Sequence, residues 1–353
     1  MRSMCVVAMA LESLWPAYAS AETSLSLHYM KMSPPMPGEM WHIHDPSRIV
    51  TLDDGSQIVA ATGKAQEDGY RCGLEMWKRL SARSEWQPHD CIFIDKPDWV
   101  AEELPENDGA YWAPDLLDDS TLFYSVSDDG DDARNGTCVG AARKVGGEWR
   151  DIGQPISCIF GDVDGREVSS IDPSVFQTSN GQLLLVTGGA AIHMTEINAE
   201  TLMPISGDWF SPDDPSWAVV ARGPVLDGEH EWVEAAHLHK HGEHYYLFVN
   251  WGSCCSGVDS TYEIRVGRSQ TINGPYLDRA GGEMTDGGGA LFMGAMAQQI
   301  GPGHASVNPA TPGNPQTISY HFYDAERDGL PWIGERQISW VDGWPVVGNL
   351  VAN

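Results

Sequence analysis

Short apolar strands on either side of polar turns recur along the whole chain. Residues 175–177 and 183–187, for example, lie on either side of Asn180 and Gly181, and similar turns occur at 53–55, 118–119 and 242. Apolar residues spaced i, i+3, i+4 and i+7, which would indicate amphipathic helices, are rare. The pattern therefore predicts an all-β chain built from repeated hairpins.

A polar residue precedes each hairpin, at intervals of 57 to 70 residues: Asp45, Asp115, Asp172, Glu234 and, more weakly, His304. Trp or Tyr residues near Gly or Pro later in each unit mark further strands, which gives four strands per unit. Four-stranded units repeated four to eight times are the sequence signature of a β-propeller. We expect residues 22–353 to form a single five-bladed β-propeller with four antiparallel strands per blade. Two stacked β-sandwiches are the alternative, but they would not require a polar residue at the same place in successive units.

The charge of the chain excludes several classes of partner. Its 353 residues include 50 acidic and 21 basic side chains, which gives a formal net charge of -29. Such a surface repels nucleic acid and anionic lipid. The sequence also contains no run of 18 apolar residues, the length needed for a membrane-spanning helix. We expect a monomer that binds neither nucleic acid nor membranes.

The beginning of the chain is typical of a secretory signal peptide. Arg2 precedes a short apolar stretch at 4–11, and small residues at 17–21 suit cleavage by a signal peptidase. We therefore predict a signal peptide over residues 1–21 and a secreted protein, extracellular or periplasmic. Glu12 interrupts the apolar stretch, and a frayed N-terminal extension is the alternative.

The cysteines agree with secretion. Six remain after residue 21, and Cys72 to Cys91 and Cys138 to Cys158 are separated by 19 and 20 positions. Each pair flanks a segment that reads strand, polar turn, Trp, strand, so we predict two disulfides between neighbouring strands, with buried free thiols as the alternative. Cys254 and Cys255 could form a disulfide between adjacent residues, but two reduced neighbours are the simpler prediction.

Three of the repeated acids predict a catalytic pocket. In a propeller the innermost strands line a central channel, so the residues that begin them meet at one end of it. Asp45, Asp172 and Glu234 would then share a pocket, where like charges raise one another's pKa and separate a proton donor from proton acceptors. Glycoside hydrolysis by a general acid and a general base requires that separation. Any one of these acids could instead cap a turn.

Several short motifs, found in order along the chain, resemble those of glycoside hydrolase family 43, and the resemblance is strongest to its arabinan endo-1,5-α-L-arabinanases. They are His44-Asp45-Pro46-Ser47, Trp112-Ala113-Pro114-Asp115, Ile171-Asp172-Pro173-Ser174, Val233-Glu234-Ala235 and Tyr320-His321-Phe322-Tyr323-Asp324. Further matches include Cys254-Cys255, Ser260-Thr261-Tyr262 and Gly301-Pro302-Gly303-His304. The matches extend from about residue 41 to residue 348, so the resemblance covers nearly all of the predicted mature chain.

The resemblance implies a five-bladed propeller that cleaves α-1,5-linked L-arabinofuranose chains of plant cell-wall arabinan, or arabino-oligosaccharides, with inversion of configuration. On the matching positions, Asp45 would be the general base and Glu234 the general acid, and Asp172 would orient Glu234 and modulate its pKa. Trp112, His44 and Ser174 would contact the substrate. Trp112 suits stacking on a sugar ring, although packing between blades is its alternative role.

The resemblance also implies a divalent cation in the channel, usually calcium in related arabinanases. His321 lies in the motif that faces this ion. Because calcium prefers oxygen ligands, we expect His321 to contact the ion through a water molecule. His237, His239 and His241 alternate along a strand and could suggest a second metal site, but a solvated outer face is the favoured interpretation.

The sequence leaves the exact activity open. An α-L-arabinofuranosidase or a β-xylosidase of the same family is the nearest alternative, and a carbohydrate-binding propeller without catalysis is another. Cleavage within the polymer and cleavage from its end are equally compatible with the motifs.

Overall fold

The computed structural model describes residues 42–67, 70–109, 111–128, 136–161, 168–206, 214–311 and 313–351. The predicted signal peptide, residues 1–21, lies outside these residues. The described part of the chain is built mainly of strands, with one short helix, α1 (Asp98–Glu103), and three single 3₁₀ turns. Within it, no helix is long and apolar enough to cross a membrane.

Five antiparallel sheets follow one another along the chain and form the blades of a five-bladed propeller. Blades 1 and 2 contain β1 (Val50–Thr51), β2 (Gln57–Glu67), β3 (Tyr70–Arg79) and β4 (Gln87–Ile92), then β5 (Trp112–Leu116), β6 (Thr121–Ser127), β7 (Gly136–Val145), β8 (Glu148–Asp151) and β9 (Ser157–Phe160). Strand β9 pairs with β7 as a fifth strand of blade 2.

Blade 3 contains β10 (Ser174–Gln177), β11 (Leu183–Thr187), β12 (Ala191–Ile197) and β13 (Ala218–Arg222), and a separate hairpin of β14 (Val225–Leu226) and β15 (Glu229–His230) follows it. Blades 4 and 5 contain β16 (Val233–His241), β17 (His244–Trp251), β18 (Glu263–Ser269) and β19 (Ala290–Met293), then β20 (Gln299–Asn308), β21 (Thr317–Asp324), β22 (Leu330–Val341) and β23 (Trp344–Leu350). The predicted architecture is confirmed.

The blades close into a ring through side chains and loop contacts, because the four main strands of every blade are consecutive in sequence. Between blades 5 and 1, the Ile43 amide donates to the Pro331 carbonyl at 3.2 Å. The buried guanidinium of Arg79 lies 2.6 Å from the Glu335 carboxylate. Ile43 also belongs to an apolar cluster shared by these two blades: Ile43, Ile49, Val59, Ala61, Trp77, Trp86 and Ile333.

Five polar side chains beside the channel connect each blade to the next, and we call them the inter-blade ring: Arg48, Asp115, Ser174, His237 and Asn308. Arg48 Nε of blade 1 donates to Asp115 Oδ1 of blade 2 at 2.8 Å. Asp115 Oδ2 in turn accepts the Val175 amide of blade 3 at 2.8 Å. Asp115, one of the polar residues of the sequence repeat, therefore joins three blades.

The other members of the inter-blade ring complete the circle. Ser174 Oγ of blade 3 lies 3.2 Å from His237 Nδ1 of blade 4. His237 Nε2 accepts the Val307 amide of blade 5 at 3.1 Å, and Asn308 Oδ1 accepts the Ile49 amide of blade 1 at 2.8 Å. The inter-blade ring thus satisfies buried polar groups and ties all five blades together.

The prediction of a solvated face for the histidines of β16 is wrong for His237, whose exposed fraction is 4 %. His239 is half-buried, with its Nε2 3.3 Å from Gln316 Nε2, and His241 stacks on Trp340 at 3.9 Å between ring centroids. The reason is position: β16 is the innermost strand of its blade, so protein flanks both of its faces.

The structure contains the two predicted disulfides. Cys72–Cys91 joins β3 to β4, and Cys138–Cys158 joins β7 to β9. Cys254 and Cys255 are also bonded to each other, so the prediction of two reduced neighbours is wrong. Cys255 has a left-handed backbone conformation, φ 66°, whereas two successive extended residues would direct their side chains to opposite sides.

Candidate active site

A residue with a left-handed backbone conformation lies within the innermost strand of every blade or up to five residues before it. These residues, with φ between 42° and 54°, are Asp45, Ala113, Asp172, Ala235 and His304. Three of them are polar residues that the repeat predicted. In blades 2 and 4 the left-handed residue is alanine, and the predicted acid lies two positions later, as Asp115, or one position earlier, as Glu234. This shift takes Asp115 into the inter-blade ring and leaves Glu234 at the end of the channel.

The structure brings Asp45, Asp172 and Glu234 together at that end. Asp172 is buried, and its Oδ2 accepts the amide of Ala235, the residue after Glu234, at 3.0 Å. Burial and the nearby charges of Glu234 and Asp45 raise the pKa of Asp172 well above its usual value. The Asp45 side chain is 16 % exposed and Glu234 is half-buried, so both can be reached from the channel mouth.

Asp45 is held as a carboxylate by its neighbours. Its Oδ2 lies 2.7 Å from His44 Nδ1 and accepts the Thr62 hydroxyl at 2.8 Å. Its Oδ1 lies 3.2 Å from His321 Nδ1 and 3.8 Å from His304 Nδ1. Burial alone would raise the pKa of Asp45, but the charge of His44 and hydrogen bonds from His321 and His44 lower it well below the usual range. This carboxyl group is therefore suited to accept a proton.

The pKa of Glu234 is shifted in the opposite direction to that of Asp45. Trp232 Nε1 donates to its Oε2 at 2.6 Å, and the Tyr262 hydroxyl donates to its Oε1 at 2.7 Å. Burial and the charge of Asp45 raise the pKa of Glu234, and the net shift is upward although these two hydrogen bonds lower it. The pocket thus contains one carboxyl group that favours ionisation and two that favour keeping a proton, which is the arrangement that general acid and base catalysis requires.

His321 offers a partial fit to a cation. Its ring is fully buried, its Nδ1 lies against Asp45, and its Nε2 has no hydrogen-bond partner among the described residues. One ligand atom from each of His44, Asp45 and His321 lies within 4.8 Å of the others. Two nitrogens and one carboxylate are a poor direct shell for calcium, which takes six to eight oxygens. A buried, unpartnered Nε2 instead fits a hydrogen bond with a water molecule of a hydrated ion.

Comparison with known proteins decides the family. The family model described as "Glycosyl hydrolases family 43" matches residues 43–345. The chain belongs to glycosyl hydrolase family 43. It is 30% identical to the extracellular endo-alpha-(1->5)-L-arabinanase 1 of Bacillus subtilis (strain 168), over 86% of this chain and 87% of that protein. The resemblance predicted from the motifs is confirmed, and the chain is a glycoside hydrolase.

Two further relatives cover similar shares of this family 43 chain. The extracellular exo-alpha-(1->5)-L-arabinofuranosidase of Cellvibrio japonicus (strain Ueda107) is 28% identical over 86% of each protein. The solved structure of a GH43 endo-arabinanase from Bacillus licheniformis superposes with a TM-score of 0.72 at 30% identity, covering 86% of this chain and 97% of that one. Relatives named for internal cleavage and for cleavage from an end are therefore about equally similar.

The predicted substrate residues lie in different environments of this family 43 enzyme. Trp112 is half-buried, and the amide of the next residue, Ala113, donates to the Thr62 hydroxyl that also contacts Asp45. Trp112 therefore lies close to the pocket. His44 stacks on His321 at 4.2 Å and contacts Asp45 directly. Ser174 is buried in the inter-blade ring, a position that does not favour contact with substrate.

Sequence reasoning missed the residues that hold the acids in place. Tyr262 belongs to a matched motif, so its position could have been noticed, but no role followed from it. Trp232 precedes Glu234 by two residues, a spacing that carries no general signal. Thr62 and Tyr323 come from other strands, and their contacts with Asp45 and His44 exist only in the folded chain.

Proposed function

We propose that this enzyme hydrolyses α-1,5-L-arabinofuranosidic bonds in arabinan and arabino-oligosaccharides with inversion of configuration. The observation that supports the proposal most directly is the pair of opposed pKa shifts in one pocket, lowered at Asp45 and raised at Glu234. Both named relatives act on α-1,5-linked arabinose, which supports the choice of substrate.

Each acid has a separate role in the proposed reaction. The Asp45 carboxylate accepts a proton from a water molecule, and the oxygen of that water attacks the anomeric carbon. Glu234 donates its proton to the glycosidic oxygen as that bond breaks, and the leaving sugar departs as an alcohol. Asp172 orients Glu234 through the Ala235 amide, and the two carboxyl groups lie close enough for each to modulate the pKa of the other. Attack from the face opposite the leaving group inverts the anomeric centre.

Trp112 and a channel cation complete the proposed site. The indole of Trp112 offers an apolar face to a sugar ring. His321 would hold a divalent cation, calcium by the family resemblance, through a water molecule at its unpartnered Nε2. When bound, the ion would add positive charge to the pocket and favour the ionised form of a nearby carboxyl group.

The direct test is hydrolysis of linear debranched arabinan. We expect release of reducing sugar, and proton NMR of the first product should show the inverted anomer. A ladder of oligomers over time would indicate internal cuts, and a single small product would indicate cleavage from an end. Cleavage of an aryl β-xyloside with no activity on arabinan would reject the proposed substrate.

Metal removal tests the channel cation. Prolonged incubation with a chelator, followed by desalting, should lower the melting temperature and the arabinan hydrolysis rate, and added calcium should restore both. His321→Ala should make the enzyme insensitive to calcium. An untreated enzyme that contains no metal by elemental analysis and does not respond to chelation would contradict this role of His321.

We also propose that the protein is secreted. The two named relatives are described as extracellular, and the three disulfides suit an oxidising compartment. Expression of the full sequence should place active enzyme in the periplasm or medium, with an N-terminus near residue 22 by N-terminal sequencing. Retention of residues 1–21 in the exported protein would contradict the proposed cleavage.

A further inference from the structure

Three consecutive hydrogen bonds connect the Cys254–Cys255 disulfide to Asp45. The Cys255 amide donates to the Tyr323 hydroxyl at 2.7 Å. That hydroxyl lies 2.7 Å from His44 Nε2, and His44 Nδ1 lies 2.7 Å from Asp45 Oδ2. The connection runs from blade 4, through β21 of blade 5, to the segment that leads into blade 1.

The same contacts are satisfied in either protonation state of the His44 ring. An amide can only donate, so the Tyr323 oxygen accepts from Cys255. His44 Nδ1 carries a proton and donates it to the Asp45 carboxylate. His44 Nε2 donates to the Tyr323 oxygen when the ring is charged and accepts the Tyr323 proton when the ring is neutral. In both states the orientation of His44 depends on Tyr323, and that of Tyr323 depends on Cys255.

The disulfide constrains the first donor. Cys255 has φ 66°, a left-handed conformation that residues other than glycine rarely adopt. The bond between the two sulfur atoms closes a small ring that contains the peptide bond of Cys254 and Cys255, and this ring limits the directions in which the Cys255 amide can point. Opening the ring would release the backbone and weaken the bond to Tyr323.

The same loop also contacts the second catalytic carboxyl group. We call residues 252–262, between β17 and β18, the disulfide loop. Ser253 and Thr261 fasten its two ends, since each amide donates to the other residue at 3.0 Å. Tyr262, its last residue, donates to Glu234. One loop is thus linked to Glu234 directly and to Asp45 through Tyr323 and His44.

We propose that Tyr323 and the Cys254–Cys255 disulfide are positioning residues, which act through His44 to hold the Asp45 carboxylate in register with Glu234. The inference rests on the proposed function, because it assigns Asp45 and Glu234 to the same reaction. A displacement of about 1 Å at a reacting group can cost as much as 100-fold in rate. Loss of positioning should therefore lower kcat, whereas substrate affinity should change little.

The first experiment compares three variants: Tyr323→Phe, the double variant Cys254→Ser/Cys255→Ser, and the combination of all three changes. We expect each of the first two to lower kcat about tenfold on linear arabinan, with KM within about twofold of wild type. The combination should lose no more than the poorer of the two, because both changes break one pathway. Losses that multiply, or a kcat equal to wild type in either variant, would overturn the proposal.

Tyr246→Phe is the matched control. Its hydroxyl also donates to a partner from another blade, the Gly343 carbonyl, at 2.6 Å, but it lies outside the pocket. This variant should keep the wild-type kcat. A tenfold loss in Tyr246→Phe as well would show that any such hydroxyl matters equally, and would overturn the specific role of Tyr323.

Reduction of the disulfide gives a second test that requires no folding of a cysteine variant. Cys255 is exposed, whereas the other two disulfides each include a fully buried cysteine, Cys72 or Cys138. Mild reductant should lower the kcat of the wild-type enzyme about tenfold and leave Tyr323→Phe unchanged. Alkylation of an aliquot, followed by peptide mapping, identifies the cysteines reduced. Equal sensitivity of both proteins, or an unaffected wild type with Cys254 and Cys255 reduced, would overturn the proposal.

The proposed substrate and the positioning role of Tyr323 and the disulfide can be rejected independently of each other. A wild-type enzyme with no turnover of linear arabinan would reject the proposed substrate but not the positioning role. The same variants would then be compared on whichever aryl arabinofuranoside or aryl xyloside the wild type cleaves, and the same pattern of losses would be required.

Discussion

Asp45 and Asp115 have similar places in the sequence repeat, yet a shift of two positions and different partners give them different chemistry. Asp45 lies against His44 and His321 at the channel mouth, partly open to solvent. Asp115 is buried, bonded to Arg48 and to the Val175 amide. The first arrangement leaves an ionised group that can reach a substrate, and the second uses its charge to join blades. The same residue type can therefore lie in the pocket or join blades, depending on its contacts.

This contrast predicts opposite effects of two kinds of substitution. Asp45→Asn and Glu234→Gln should each lower kcat by about 10² to 10⁴, because each removes a positioned proton acceptor or donor, and should leave the unfolding free energy near wild type. Rates on linear arabinan and urea unfolding curves would measure the two quantities. Wild-type turnover in either variant would reject its assigned role.

Asp115→Asn should lower the unfolding free energy and leave the kcat nearly unchanged. It leaves the largely buried Arg48 guanidinium without its counter-charge, which costs roughly 3 kcal/mol of unfolding free energy. The kcat of the folded fraction should stay within a few fold of wild type. A loss of kcat as large as that of Asp45→Asn, without a loss of stability, would place Asp115 in the catalytic machinery instead.

At the scale of elements, local sequence sets the strand pairing of the hairpins, and covalent cross-links add stability to it. Gly55 and Gly181, with φ of 81° and 87°, form turns that their asparagine or aspartate neighbours also favour, so strand pairing around them is set locally. The outer strand of blade 1 is short, and Cys72–Cys91 fastens it to β3. The disulfide supplies stability that the five residue pairs of this blade-edge strand provide only weakly.

Replacing both members of this disulfide tests its contribution. Cys72→Ser/Cys91→Ser opens a loop of 19 positions, and we expect the unfolding free energy to fall by about 3 kcal/mol, by urea denaturation. The kcat should remain near wild type, since this disulfide does not contact the pocket residues. Cys138→Ser/Cys158→Ser, which breaks the equivalent bond in blade 2, is the matched comparison. An unchanged midpoint in both double variants would show that the disulfides add little to stability.

At the scale of the whole molecule, the propeller depends on contacts between blades, and two histidines, His237 and His239, take part in them. Burial lowers the pKa of His193 and of His239 to about 4, and it lowers that of His237 well below the usual value. His237 connects blades 3, 4 and 5 through both ring nitrogens. A proton on this ring would turn an acceptor into a donor and break one of these contacts.

The direction in which stability changes with pH follows from these lowered histidine pKa values. Below pH 6.5 the histidines of the unfolded chain bind protons that the folded chain excludes until about pH 4. The contribution of these histidines to stability is therefore fully present above pH 6.5, and it is lost as the pH drops from 6.5 towards 4. Each such histidine contributes a slope of about 1.4 kcal/mol per pH unit.

His237→Gln should flatten this dependence. The variant loses part of the inter-blade ring, so its stability at pH 8 should be lower than that of the wild type. Between pH 6 and pH 5, however, its unfolding free energy should fall less steeply, by about 1.4 kcal/mol per pH unit, because one proton fewer is taken up on unfolding. Urea unfolding curves at several pH values would measure both effects, and parallel pH profiles would contradict the assignment.

The sequence by itself determined the repeat, and from it the number of blades, the strands per blade and two of the disulfides. These follow from local rules, since alternating apolar residues, Gly-containing turns and cysteine spacing act over a few tens of residues. The motifs also placed Asp45, Asp172 and Glu234 in one family pattern, and the family match confirmed that resemblance.

Only the tertiary structure decided what each polar residue touches. The repeat could not show that Asp115 joins blades, that His237 is buried, that Ser174 faces His237, or that Cys254 and Cys255 are bonded. Each of these depends on a partner that is distant in sequence or on the backbone angle of one residue. Burial and charge at such contacts set the pKa values and decide which atoms carry protons. The chemistry of this pocket therefore depends on the closed ring of blades rather than on any one segment.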